Sequence, residues 1–598
     1  MNRDDSIVSD LSCWITAAIF ALGLVVLAVR LRDVQVVESA DYSYASSRQS
    51  VRRLQTTGPR GRILGRRGEV LAGNRKSFSI VCDAVKCQKK TWRETEEEIK
   101  RRIDAVAVAI GRKSAIDEKA ISRHVRQSLA IPLTVWRDID YPTLAKFVEH
   151  ESEFEGFSCQ ESEERVYPQG RFAAHLLGYV GRDAVGAVAG DEKINFVSPE
   201  MRGRAGIEMY YDGFLRGVPG ERKLLVDARG FAIRSWTVAE AKRGPDLRLA
   251  LDLNVQRAAE RALSGQKGAC VVLDPRTGDV LAFASAPTYN PNDFVPFLGS
   301  DLYDRLSSDP AKPLLNRASG GSYAPGSTFK PVIALAALAA GIPADGLYDC
   351  VGAFTLGEMR LRCVSVWGHG SIDMRRALMK SCNPYFCNLG MDIGTNAIFR
   401  AADAFGLGSR TGIDFSVDAA GAMPDAEWKM RRYSERWYPG DLAQMSIGQG
   451  MLLVTPLQMA MVAGAIGTGR IATPHIKADL PIRTRPLPFS EEHLAVVREG
   501  MYFVVNGNGS ERGTGMRAAE GVPVEVCGKT GTAEIGRGAS RRKNAWFIAY
   551  APARAPSVAL AIVVENGEGG GTTAAPLAAS ILRAAFGGER SANSSGGL

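Results

Sequence analysis

The chain has 598 residues, 45% of them apolar and 23% charged, with a formal net charge of +9. This length calls for two or more folded units, and the balance of apolar and charged residues excludes wholesale disorder. Basic residues are interleaved with acidic ones and no zinc finger or other nucleic-acid module is present, so nucleic acid is not an expected partner.

Residues 11–29, LSCWITAAIFALGLVVLAV, carry no charge. At about 1.5 Å per residue they reach roughly 28 Å, close to the hydrocarbon thickness of a bilayer. Arg30 and Arg32 close the segment, and no small-residue cleavage site follows directly. Residues 11–30 therefore read as an uncleaved membrane anchor, with a cleaved signal peptide as the alternative. Arg3 and the amino terminus compete with Arg30 and Arg32, so charge alone does not orient the anchor.

Residues 41–240 are charged and mixed. A helix is expected over 92–110 and a strand over 77–83, with no catalytic constellation among them. The character changes after about residue 245. GACVVLDPRTGDVLAFASAP (268–287) reads as two strands joined by a turn at 276–279. Helix-period segments follow over 327–340 and 442–468, and two neighbouring buried strands over 545–552 and 558–566. Helices held between early and late strands suggest an α/β unit with one sheet over 245–586. The Gly/Ser-rich tail 587–598 is expected to be disordered.

The chemistry begins at YAPGSTFKPV (323–332), where Ser327 follows a Pro-Gly turn and precedes an apolar, Ala-rich run. Ser327 and Lys330 then share one face at the start of a helix, whose positive end favours a forming oxyanion. A serine hydroxyl needs a base, and a free lysine titrates at about 10.4, so Lys330 can serve only if burial or a second cation lowers it. Candidates lie downstream in SCN (Ser381, Cys382, Asn383) and KTGT (Lys529, Thr530, Gly531, Thr532). Ser381 can relay a proton, and Asn383 can bond a substrate amide or the lysine. Lys529 adds a positive charge that binds a carboxylate and disfavours the charged form of Lys330. Gly531 would let a substrate approach the strand, where the Thr532 amide can join that of Ser327 in an oxyanion hole.

This motif set resembles that of the penicillin-binding proteins and serine β-lactamases. Over nearly its whole length the chain is similar to a class B penicillin-binding protein, a monofunctional peptidoglycan transpeptidase. The likeness rests on PRGRILGRRGEVLAGN (59–74), RVYPQGRFAAHLLGYVG (165–181) and GRAGIEMYYDGFLRGVPG (203–220) in the first half. In the second half it rests on SIGQGMLLVTPLQMA (446–460) and KNAWFIAYAP (543–552). It implies an anchor, a mixed α+β pedestal over 41–240, and a penicilloyl serine transferase domain over 245–586 with helices around one antiparallel sheet. It also implies that Ser327 attacks a D-Ala-D-Ala stem peptide with Lys330 as base, Ser381 and Lys529 assisting the leaving amine, and Lys529 with Thr530 or Thr532 holding the donor carboxylate. The enzyme would be a serine D,D-transpeptidase or carboxypeptidase, open to acylation by β-lactams and needing no cofactor for catalysis. An extracytoplasmic substrate would leave residues 1–10 in the cytoplasm and the catalytic domain in the periplasm, with the anchor in the inner membrane. Expected partners are a polytopic glycan polymerase and other membrane proteins of the elongation complex. The implied role is cell elongation and shape, with a septal enzyme or a non-catalytic β-lactam sensor or scaffold as alternatives.

Cys350, Cys363, His369 and Cys382 supply four soft ligands in one short stretch, the number a closed structural zinc site needs. The wording WGHGSIDMRRALMKSCNPYF resembles the elongation branch, where zinc is expected in this region. A Cys350–Cys363 disulfide or buried free thiols remain open alternatives. Cys387 is a spare, Cys82–Cys87 is a further disulfide candidate, and the remaining cysteines read as core. His175 reads as satisfying a local hydrogen bond, and no histidine is placed to serve a Ser-His-Asp triad.

Overall fold

The strands Gly268–Leu273 and Val280–Ala286 show no polar face, because the sheet they enter is covered on both sides. Ala269, Val271 and Leu273 point into one core while Cys270 and Val272 point into another, as the alternation of side chains along a strand requires. A computed structural model describes residues 4–39, 51–114, 116–127, 131–182, 196–197, 201–227, 231–295, 299–536 and 541–587. Of the tail expected to be disordered, Gly587 ends the helix Ala575–Gly587 and residues 588–598 lie outside the described residues.

The catalytic sheet has five antiparallel strands in the order Val280–Ala286, Gly268–Leu273, Val558–Glu565, Arg542–Ala551 and Cys527–Ile535. Cys527–Ile535 is therefore an edge strand. One core takes side chains from the helices Lys330–Ala339 and Pro456–Thr468, and the other from Leu253–Ala262 and Ala575–Gly587. The Ala-rich composition of Lys330–Ala339 follows from its position, since every residue from Lys330 to Leu338 is buried.

The expected continuous helical segment over 442–468 is broken into Pro439–Met445 and Pro456–Thr468. Gly448 and Gly450 between them have φ of 69° and 77°, a region that favours glycine. A Cβ on Gly448 would stand 2.0 Å from the Gly326 carbonyl oxygen, so this turn presses directly on the turn that carries Ser327. The 327–340 segment also starts differently from the sequence expectation. Residues Gly326–Phe329 form a 3-10 turn, and the α-helix begins at Lys330.

In the pedestal, the 92–110 expectation matches a helix Trp92–Ile110, started by a Thr91–Glu94 capping box and stopped by Gly111 at φ 70°. Val70–Cys82 is the central strand of one sheet, flanked by Leu133–Ile139 and Phe157–Val166. A second sheet pairs Val51–Thr56 with Gly220–Val226, which also pairs Ala232–Ala239. The pedestal also holds a buried ionic network. Glu208, fully buried, accepts from Arg60 at 2.9 Å and Arg165 at 2.6 Å, and Arg60 also reaches Asp212 at 2.7 Å. Tyr211 donates to Asp414 at 2.5 Å and Asn292 donates to the Tyr167 carbonyl at 2.9 Å, which ties the pedestal to the catalytic unit.

At the amino terminus the helix Asp4–Arg32 contains the anchor segment, and Ser12–Val37 is long and apolar enough to cross a bilayer, with none of it buried.

Candidate active site

Ser327 stands at a corner made by close backbone approaches. Gly326 has φ 56°, and its amide donates to the Gly448 carbonyl at 2.8 Å. Thr328 Oγ1 donates to the Pro325 carbonyl at 2.7 Å, and Trp546 Nε1 donates to the Ala324 carbonyl at 3.0 Å, locking the turn against the sheet. Pro331 sits in the first turn of the helix, where its missing N–H costs nothing. Gly531 lies against the serine turn: a Cβ there would stand 2.8 Å from Thr328 Cγ2 and 2.9 Å from the Pro325 oxygen.

Ser381 ends the helix Met374–Lys380 at φ 55°, and Cys382 opens the next helix, Asn383–Ala404. This reversal turns both Ser381 and Asn383 toward Lys330. The Lys330 Nζ donates to the Ser381 carbonyl at 2.8 Å and to Asn383 Oδ1 at 2.7 Å, with Ser381 Oγ at 3.5 Å. Lys529 Nζ donates to the same Ser381 Oγ at 2.9 Å and to the Thr530 carbonyl at 3.0 Å. The Ser381 hydroxyl thus lies between the two amines. No hydrogen bond joins Lys330 to Ser327 among the described residues.

Both lysines are fully buried. None of their hydrogen-bond partners is a carboxylate. Burial pushes Lys330 down to about 8, against a smaller opposing pull from Cys382 and its neighbours. Burial also holds Lys529 well below the usual lysine range, with repulsion from Lys330 adding to it. Desolvation is thus the larger cause at each, and the mutual repulsion expected at Lys330 is expressed at Lys529. The Phe386 ring centroid lies 5.4 Å from Lys330 Nζ.

Thr530 Oγ1 is 2.8 Å from Thr514 Oγ1. Thr532 Oγ1 accepts from the Gly570 amide at 3.3 Å, while its carbonyl accepts from Gln449 Nε2 at 3.3 Å. The Thr532 carbonyl therefore points away from the neighbouring strand. In an antiparallel ladder the amide of the same residue points with it, away from that strand. The sequence alone assigns no role to Thr514, Gln449, Gly448 or Phe386. Gln449 and Gly448 lie in a quoted motif, whereas Thr514 has no local signal beyond its flanking glycines.

The penicillin binding protein transpeptidase domain family matches residues 268–583, and the penicillin-binding protein dimerisation domain family matches residues 55–249. The chain belongs to the class B penicillin-binding proteins. It is 32% identical to the peptidoglycan D,D-transpeptidase MrdA of Escherichia coli over 93% of this chain and 91% of that one. MrdA of Acinetobacter baumannii is also 32% identical, over 93% and 85% of the two chains. The solved complex of PBP2 and MreC from Helicobacter pylori superposes with a TM-score of 0.78 at 27% identity, covering 90% of this chain and 99% of that one. These relatives make this penicillin-binding protein a peptidoglycan D,D-transpeptidase of the elongation type, and they do not favour the septal or sensor alternatives.

In this penicillin-binding protein every cysteine among the described residues is a free thiol, so neither Cys350–Cys363 nor Cys82–Cys87 is a disulfide. The Cys82 and Cys87 sulfurs face each other at 3.7 Å. The ligand atoms of Cys350, Cys363, His369 and Cys382 all lie within 4.8 Å of one another. His369 Nδ1 is 3.5 Å from both Cys350 Sγ and Cys363 Sγ, and Cys363 Sγ is 4.0 Å from Cys382 Sγ. A tetrahedral zinc with bonds of about 2.0–2.3 Å puts its donors roughly 3.5–3.8 Å apart, so the set fits that ion. His175 bonds the Pro313 carbonyl at 2.8 Å, as expected, and burial lowers it to about 4.

Proposed function

We propose that Ser327 is the nucleophile of this transpeptidase and Lys330 its base, with residues 245–586 forming the catalytic unit on a pedestal of residues 41–240. The observation that carries the reading is a fully buried lysine, one residue from the serine turn, held by neutral oxygens alone. Such a lysine is readily neutral. It takes the Ser327 proton as Oγ bonds to the penultimate D-Ala carbonyl carbon, and the Ser327 and Thr532 amides receive the oxyanion. The amide C–N bond then breaks, and terminal D-Ala leaves as an amine that takes its proton through Ser381 from a lysine. In the second half an acceptor amine forms an amide with the same carbon, the ester bond to Ser327 breaks, and the amine proton returns to Oγ. Water in place of the amine gives the carboxypeptidase branch. Lys529, with Thr530 and Thr532, holds the donor carboxylate, and a β-lactam acylates Ser327 in place of the peptide.

Cys350, Cys363, His369 and Cys382 hold one structural zinc. When bound, zinc would fix the loop that carries Ser381 and Asn383, since Cys382 lies between them. Residues 11–30 anchor the chain in the inner membrane with the catalytic unit in the periplasm, where its substrate lies. MreC in the Helicobacter pylori complex points to elongation-complex partners of the same kind here. So does a peptidoglycan synthase complex that coordinates polymerization and crosslinking, matched at a TM-score of 0.71 and 28% identity.

Fluorescent penicillin tests the nucleophile: the full chain labels and Ser327→Ala does not, whereas a labelled variant would remove Ser327 from that role. Metal analysis tests the second claim. The expected result is about one zinc per chain, lost in Cys363→Ser; a metal-free wild type with full labelling would refute it.

A further inference from the structure

The loop closing the Cys/His cluster presents side chains that the acylation chemistry does not use. Trp367 is 92% exposed, and Val351, Val364 and Val366 are 79%, 72% and 73% exposed. Each would gain about 1.5–3 kcal/mol by full burial, so four together in water point to something that covers them. They share one rigid knuckle. Cys363 donates its amide to the Gly352 carbonyl at 2.9 Å and His369 to that of Cys350 at 3.0 Å. A Cβ on Gly352 would lie 2.3 Å from the Val366 oxygen, and one on Gly368 would lie 2.9 Å from Val351 Cα. Ser365 Oγ pins the turn by donating to the Gly368 carbonyl at 2.7 Å.

The hairpin Ala353–Leu356 and Met359–Arg362 leads into the knuckle with two exposed arginines, Arg360 and Arg362. Neither makes an ion pair among the described residues. The Arg362 carbonyl accepts from Asn383 Nδ2 at 2.7 Å, and Asn383 Oδ1 accepts from Lys330. The knuckle therefore continues the Ser381–Asn383 wall of the active site outward. The opposite wall is the edge strand Cys527–Ile535, where the donor lies.

We propose that this knuckle is the rest for the acceptor glycan strand, with the Trp367 ring packed on the C–H face of its sugars and Arg360 and Arg362 paired with free carboxylates of its stem peptides. The proposal rests on the D,D-transpeptidase reading and names its second substrate subsite. Charge complementarity favours this occupant. Four apolar residues also cover far less than the roughly 1,200 Å² that a stable protein interface buries. A sugar ring over an indole needs only one flat face, and Trp367 offers it.

The test uses the full-length chain and a thioester mimic of the D-Ala-D-Ala donor, offered either free D-alanine or uncross-linked peptidoglycan strands as acceptor. In Trp367→Ala, transfer to strands falls about tenfold, with the acyl group diverted to hydrolysis. Acylation by fluorescent penicillin and transfer to free D-alanine stay within about twofold, because neither uses the knuckle. Trp367→Phe restores most strand transfer, and Arg360→Gln with Arg362→Gln weakens it in a salt-dependent way. Strand transfer equal to wild type in Trp367→Ala would overturn the proposal. So would an equal fall in all three readouts, which would mark a structural role. Loss of self-association or of retention on anionic phospholipid vesicles, with strand transfer intact, would assign the patch to a second copy or to lipid and overturn it too. Failure of wild type to be acylated at Ser327 is a separate outcome, since it would sink the transpeptidase reading itself.

Discussion

In the pedestal, Arg60 and Arg165 are buried against Glu208 and Asp212; in the catalytic unit, Lys330 and Lys529 are buried against carbonyls, an amide and a hydroxyl. Both places take cations out of water. At Arg60 burial alone would favour the neutral form, and Glu208 and Asp212 more than reverse it. At the lysines no carboxylate answers, and both are driven toward the uncharged amine. The sign of the partner decides whether a buried cation becomes scaffold or base.

Removing one partner from each place separates the two. Glu208→Gln leaves two guanidiniums without their shared counter-charge and costs about 3–5 kcal/mol, read as a fall in the denaturation midpoint of the full chain. A variant as stable as wild type would deny the network its structural role. Lys330→Met has a different profile. The relief of no longer burying an amine offsets the two acceptors left without a donor, so stability stays within about 1 kcal/mol of wild type. Penicillin acylation falls by roughly 10²–10⁴. Equal stability losses in the two variants would erase the distinction. The smallest effect is expected at Thr514→Val, which takes a hydroxyl partner from Thr530 and slows acylation only a few-fold, about 1 kcal/mol.

The sequence displays what is local. The strand pair over 268–287, the Trp92–Ile110 helix and the Ser327–Lys330 spacing are each written in short-range pattern. The pedestal network is not, because Arg60 and Glu208 are 148 residues apart and each alone reads as an ordinary surface charge. The break within 442–468 is not legible either, for a related reason. Its apolar residues keep a helix-like spacing, while the turn exists to seat Gly448 on Gly326, a tertiary demand. The convergence of Ser381, Asn383 and Lys529 on Lys330 is suggested by the order and chemistry of the three motifs, but its geometry is not legible, since tripeptides so far apart carry no local signal of proximity. Gly531 shows the limit most clearly. Its need for a missing Cβ was legible, but the atoms that need it, Thr328 and Pro325, were not.

The pH dependence of Ser327 acylation by a fluorescent penicillin tests the central claim, that an uncompensated buried lysine works as a neutral base. Burial pushes Lys330 down to about 8, below an unfolded lysine. Its proton is therefore costlier in the folded state, a penalty that is full below about 8 and fades as pH rises toward about 10.4. The acylation rate should climb with pH to a plateau, with its midpoint near 8 and a rate at pH 6 roughly a hundredfold below the plateau. A rate flat between about pH 6 and pH 9, or a midpoint near that of a free lysine at about 10.4, would contradict it.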